Sequence, residues 1–176
     1  MPSRILVAYA SKRGATTEVA AAVARELERP GIAAEVIGID SVLSLEPYDG
    51  LVIGAPVYTG KLFGDVASFV RRHINEIGRI PVAAFLTGIA PVYPKAGDPM
   101  QVIGLMTTAL QPVTPVAVTM FAGKLDPSNQ SFAERSLTKL LKVPVGDFRD
   151  WNAIAAWSRQ LPDLMGLGEP KAADRK

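Results

Sequence analysis

Five apolar runs of strand length recur along the chain, and stretches with helical spacing stand between them. The runs are "RILVAYA" (4–10), "IAAEVIGI" (32–39), "GLVIGAP" (50–56), "IPVAAFL" (80–86) and "PVTPVAVTMF" (112–121). A continuous apolar run suits a strand buried on both faces. Between the runs, Val19, Val23 and Leu27 lie four apart, and so do Val66, Val70 and Ile74, with Phe63 on the same stripe. Such spacing predicts helices over about 16–29 and 62–77, with a third over about 99–110. Strands alternating with helices give an α/β fold, a parallel sheet covered on both faces. The chain has 176 residues, 48% apolar and 20% charged, which suits one soluble domain with a sizeable core.

The alternation breaks after the fifth run. "AGKLDPSNQ" (122–130) reads as loop, "SFAERSLTKLLK" (131–142) as helix and "VPVGDFRD" (143–150) as irregular. A last helix is predicted over 151–161, capped by Asp150, with Trp151, Ile154, Trp157 and Leu161 as its core stripe. The expected organisation is a single domain over 1–162 with an insertion at about 122–149, then a polar tail over 163–176.

Composition excludes some functions. There is no cysteine and one histidine, so neither thiolate nor imidazole metal clusters can form. His73 reads as a surface residue in mid-helix. A net charge of +2 is too small to argue for nucleic-acid binding. No apolar run reaches the roughly 20 residues of a membrane span. "MPSRILVAYA" lacks a full signal-peptide core and cleavage site, so a cytoplasmic location is expected.

In a parallel sheet, ligands bind outside the carboxyl ends of the strands, where strand order reverses. The first such segment is "SKRGAT", Ser11, Lys12, Arg13, Gly14, Ala15 and Thr16. A helix N-terminus presents free N–H groups and a partial positive charge. Gly14 allows a tight turn, the hydroxyls of Ser11 and Thr16 can donate to phosphate oxygens, and Lys12 or Arg13 adds charge. The competing reading is an ordinary strand–helix turn with a threonine cap. Neither a Walker loop nor a G-x-G-x-x-G fingerprint is present. The second segment is Pro56, Val57, Tyr58, Thr59, Gly60 and Lys61, where Tyr58 is either a stacking ring or a surface tyrosine. The third holds Thr87, Gly88, Ile89 and a second ring, Tyr93. No acid–base dyad is visible.

Together these loops resemble the flavodoxin-like family, whose first loop commonly reads [ST]-x-[TS]-G-x-[TN]. Ser11, Gly14 and Thr16 match, and Arg13 stands where a third hydroxyl is usual. The branch of bacterial flavodoxin-like protoporphyrinogen oxidases is similar over nearly the whole chain. The matching features are an S/T-[RK]-x-G-x-T loop at Ser11–Thr16, "AGKL" at Ala122–Leu125, the inserted stretch behind it at 126–149, and "DW" at Asp150–Trp151.

The resemblance implies a doubly wound five-stranded sheet of order 2-1-3-4-5 and an FMN cofactor. The phosphate would sit on Ser11–Thr16 and the ring system between residues 56–61 and 87–93. Gly60 would let the Thr59–Gly60 peptide rotate toward the flavin. The implied function is an FMN oxidoreductase, with quinone-dependent oxidation of protoporphyrinogen, peripheral to the inner membrane. The implied partners are a quinone and a tetrapyrrole precursor. Two alternatives stand beside it, a flavodoxin-type electron carrier between protein partners and a binding domain without flavin.

Overall fold

A computed structural model of the chain describes residues 1–168. Its main sheet contains β1 (Ser3–Tyr9), β2 (Ile32–Gly38), β3 (Gly50–Tyr58), β5 (Val82–Gly88) and β6 (Ala117–Ala122), with the two-residue β4 (Lys61–Leu62) hairpinned onto β3. The long strands are parallel in the order β2-β1-β3-β5-β6, the expected 2-1-3-4-5 when they alone are counted. Leu6 stands opposite Leu51, and Val52 opposite Ala83.

Alternation along each strand splits the core in two. Leu6, Leu51 and Ile53 face α2 (Val66–Arg72) and α4 (Pro99–Leu110), where Phe69, Val70, Met106 and Leu110 are buried. Ile5, Val7 and Val52 face α1 (Ala15–Leu27) and α6 (Trp151–Leu164), where Val19, Val23, Leu27, Ile154 and Leu161 are buried. Burying each large side chain contributes about 1.5–3 kcal/mol, which holds both helical layers on the sheet.

Local chemistry moves several boundaries. The second helix begins at Val66, because the Asp65 carboxylate accepts the Ser68 N–H at 2.8 Å. Leu62 is therefore in β4, and the Phe63 N–H donates to the Pro56 carbonyl. The helix then breaks at His73 into α2 and α3 (Ile74–Ile77). His73 is buried, a correction to its reading as a surface residue: its Nδ1 lies 3.2 Å from Glu76 Oε1 and its ring packs on Phe69. Ile74 is exposed and Phe69 takes its place in the core. β6 starts at Ala117, later than expected, because Pro112 and Pro115 have no N–H to pair and Val116 makes the first bond, to Val82.

α6 starts at its Asp150 cap and continues through the buried Pro162 to Leu164. Trp157 packs edge-on against Phe85 and Phe121, as a core residue should. Trp151 does not; it is 43% exposed under the Arg149 guanidinium. Part of the expected polar tail is apolar and packed, since Met165 is buried and Leu167 joins the core beside it. Residues 169–176 of that tail lie outside the described residues.

The stretch after β6 forms a closed lobe. β7 (Lys124–Leu125) pairs antiparallel with β8 (Gly146–Asp147), and α5 (Phe132–Leu140) lies between them. The Ser131 hydroxyl and the Glu134 carboxylate cap α5 reciprocally. No residue of α5 is buried, and Phe132, Leu137 and Leu140 are exposed. Among the described residues no helix is long and apolar enough to cross a membrane.

Candidate functional site

The first loop spans residues 10–14, between Tyr9 of β1 and Ala15 of α1. Gly14 is the N-cap, at φ 86° and ψ −14°. That left-handed conformation costs a residue with a side chain about 1–2 kcal/mol. A Cβ there would meet nothing within 4 Å, so the backbone conformation and not crowding calls for glycine. The Ser11 hydroxyl accepts the Gly14 N–H at 2.9 Å.

No side chain caps α1, and the N–H groups of Ala15, Thr16 and Thr17 have no protein partner among the described residues. Thr16 itself is only 1% exposed. Buried backbone donors in native proteins nearly always have a partner. The threonine-cap alternative does not occur, because the Thr16 hydroxyl bonds the Thr87 hydroxyl at 2.9 Å. That pair ties the first loop to the end of β5, so the side chain expected to face a phosphate is used inside the protein.

Tyr58 and Lys61 pair across the β3–β4 hairpin, leaving Thr59 and Gly60 as a two-residue turn. Their φ values, 49° and 72°, are both positive, as a type I′ turn requires. Rotating the peptide between them would carry the turn toward type II′, whose first central position favours glycine. Thr59 stands there, so the rotation expected at Gly60 meets a penalty at its neighbour. Pro56 is buried in β3, Val57 pairs with Leu62, and the Tyr58 ring meets Phe63 edge-on at 5.8 Å. Burial raises the Tyr58 hydroxyl pKa above its ordinary value. Lys12 Nζ lies 5.4 Å from the centre of the Tyr58 ring, so the first two loops meet.

The third loop begins where β5 ends, at Thr87 and Gly88. The Gly123 N–H donates to the Gly88 carbonyl at 2.8 Å, and a Cβ on Gly123 would come within 3.2 Å of the Gly88 nitrogen. This close backbone approach explains the glycine in "AGKL". The Ile89 carbonyl accepts the N–H groups of Val92 and Tyr93, which closes the loop on itself. The Tyr93 hydroxyl donates to the Leu141 carbonyl at 2.7 Å, so the second expected ring is tied to the inserted lobe.

Sequence reasoning missed the lobe's own contribution. Glu134 accepts hydrogen bonds from Arg13 and, at 3.5 Å, from Lys12. The Ser131 N–H and these cations hold its carboxyl below the usual glutamate range. Arg149, nearly buried, donates to Asp147, to Glu18 and to the Ala15 carbonyl. The Arg149 bonds keep the Asp147 carboxyl down at about 2. A depression between loop and lobe is lined by Arg13, Gly14, Ala15, Tyr58, Leu125 and Asn129, together with the charged Glu18, Lys124 and Asp126. The capping-box spelling of Ser131–Glu134 is visible in the sequence, but its reach to Arg13, 121 residues away, is not.

Unpartnered N–H groups at a helix start, two cations and a half-buried tyrosine are the kinds of groups that could hold a phosphorylated aromatic molecule. The chain is 24% identical to Escherichia coli (strain K12) protoporphyrinogen IX dehydrogenase [quinone], over 92% of this chain and 96% of that protein. The fold matches oxidised flavodoxin 1 from Bacillus cereus at a TM-score of 0.59 and 20% identity, over 92% of this chain and 98% of that one. A flavoprotein solved in complex with FMN from Lactobacillus acidophilus matches at a TM-score of 0.51 and 16% identity, over 68% of this chain and 93% of that one. The family model described as "Flavodoxin domain" matches residues 6–150, and the chain belongs to that family.

Proposed function

We propose that the chain binds one FMN and acts as an FMN-dependent oxidoreductase that passes electrons from a reduced tetrapyrrole of the protoporphyrinogen class to a quinone. The observation that carries the cofactor is the start of α1, where the N–H groups of Ala15, Thr16 and Thr17 have no partner among the described residues and Arg13 and Lys12 stand beside them. A terminal phosphate supplies the missing acceptor and the complementary charge. The FMN complex of the Lactobacillus acidophilus flavoprotein gives the same ligand class on the same fold. The E. coli relative, named for protoporphyrinogen IX and a quinone, supplies the substrate class.

When bound, FMN supplies the redox chemistry, which is why the chain needs no acid–base dyad. The protein's part is placement. Gly14 opens the phosphate seat, Arg13 and Lys12 add charge, and Tyr58 offers a ring face for the flavin. Each turn moves two electrons and two protons from the tetrapyrrole and the same number onto the quinone, giving quinol. We place the protein in the cytoplasm against the inner membrane, where quinones are dissolved. The second reading is an electron carrier between proteins. Such carriers dock through complementary charge, commonly as acidic partners of basic reductases, and the net charge of +2 favours the enzyme.

Fluorescence titration with FMN, FAD and riboflavin checks the cofactor. FMN is expected to bind tightest, and equal binding of FAD would count against a seat built for a terminal phosphate. Anaerobic mixing with protoporphyrinogen and a quinone checks the reaction. Bleaching of the flavin without a protein partner supports the enzyme. Bleaching only with a reductase protein supports the carrier.

A further inference from the structure

The lobe that follows β6 places a negative charge on the cations of the first loop. Glu134 is the third residue of α5, and its carboxylate is shared three ways. Oε2 accepts the Ser131 N–H at 3.0 Å and an Arg13 N–H, and Oε1 accepts from Lys12 at 3.5 Å. All three side chains are partly open, with Arg13 the least exposed at 21%. The cluster of Lys12, Arg13 and Glu134 therefore carries a single net positive charge, where the two cations alone would carry two.

We propose that Glu134 competes with the phosphate group of the cofactor for Arg13 and Lys12, so that docking of α5 and binding of a phosphorylated flavin oppose each other. The inference rests on the FMN reading above and adds a determinant of affinity and phosphate selectivity on the inserted lobe. The dianionic phosphate and the carboxylate want the same donors. Once the phosphate draws them away, Glu134 keeps only its cap on α5. The helix has few other ties, since none of its residues is buried. Its remaining polar tethers include the Tyr93–Leu141 bond, the contact between Gln130 and Thr138, and the Arg135 bond to the Gln130 carbonyl. Exposed charge pairs are weak and screened by salt, so the expected effect is modest and salt-dependent.

The test is a charge series at one position, read by flavin binding to the full chain. Glu134→Gln keeps a side chain that can cap the helix, and Glu134→Lys reverses the charge. Dissociation constants for FMN and for riboflavin, which lacks the phosphate, are measured at low and high salt. FMN binding is expected to tighten about twofold to fivefold in Glu134→Gln at low salt, and further in Glu134→Lys. The gain should shrink at high salt, and riboflavin should not respond. In parallel, FMN should lower the amide-exchange protection of α5 in the wild type, and riboflavin should not. Unchanged or weaker FMN binding across the series overturns the competition. An equal gain for riboflavin overturns it too, because the effect would then not run through the phosphate. If wild type and variants bind neither flavin, the cofactor reading itself falls and the competition falls with it.

Discussion

Gly14 and Lys12 sit two residues apart and act by different physics. Gly14 holds a left-handed backbone at the helix start, whereas Lys12 is an exposed charge shared with Glu134. Gly14→Val should therefore weaken FMN binding more than Lys12→Ala. The strain alone is about 1–2 kcal/mol, against about 0–1 kcal/mol for an exposed ion pair. Parallel flavin titrations of the two variants check this, and a larger loss in Lys12→Ala would mean that side-chain charge holds the phosphate. At this scale the sequence was legible in part. Ser11 and Gly14 stand in the expected first loop, since a turn glycine reveals itself by type, whereas Tyr58 closes β3 and pairs with Lys61 across the hairpin. The partner of the Thr16 hydroxyl was not legible, because Thr87 comes from another strand and no local rule names it. Trp151 was misread because helical spacing assigns a stripe without saying where the stripe ends.

The connection from β2 to β3 depends on one carboxylate of α3. Glu76 Oε2 accepts from the Ser44 hydroxyl and from the N–H groups of Leu45 and Glu46, while Oε1 faces His73. The Ser44 bond first, then His73 and the two N–H groups, hold the Glu76 carboxyl at about 2 against an ordinary 4.5. A depressed acid stabilises the fold fully above its unfolded pKa. That contribution should be complete above pH 4.5 and be lost as pH falls toward 2. Glu76→Gln should cost about 1–3 kcal/mol at neutral pH, and the gap to wild type should close in acid. Urea unfolding of both proteins between pH 7 and pH 2.5 measures it; a gap that does not change with pH would show that Glu76 acts by shape alone. The clip also explains why the predicted 62–77 helix is two helices. Hydrophobic spacing runs on through His73, but the buried ring and the carboxylate beside it fix a break that periodicity cannot register.

Across the whole molecule, what could be read from sequence was the part governed by period and burial. Five apolar runs became five parallel strands in the expected order, because a strand covered on both faces has little choice of composition. The inserted lobe was legible only as an interruption, since a segment that buries almost nothing leaves little pattern. Its construction still has a consequence for how the chain could be edited. Leu125 and Gly146 are the last paired residues of the β7–β8 ladder, so the two ends of the lobe already stand side by side. Replacing residues 126–145 with a two-residue Asn-Gly turn would close that ladder as an ordinary hairpin. The shortened chain should fold with both sheet faces covered, as a circular dichroism melt would show, and its first loop would keep Arg13 and Lys12 without Glu134. Loss of cooperative melting would show that the lobe helps fold the sheet. The lobe is thus a removable cassette, entered and left through one short ladder, by which the behaviour of the site can be altered while the sheet beneath it stays the same.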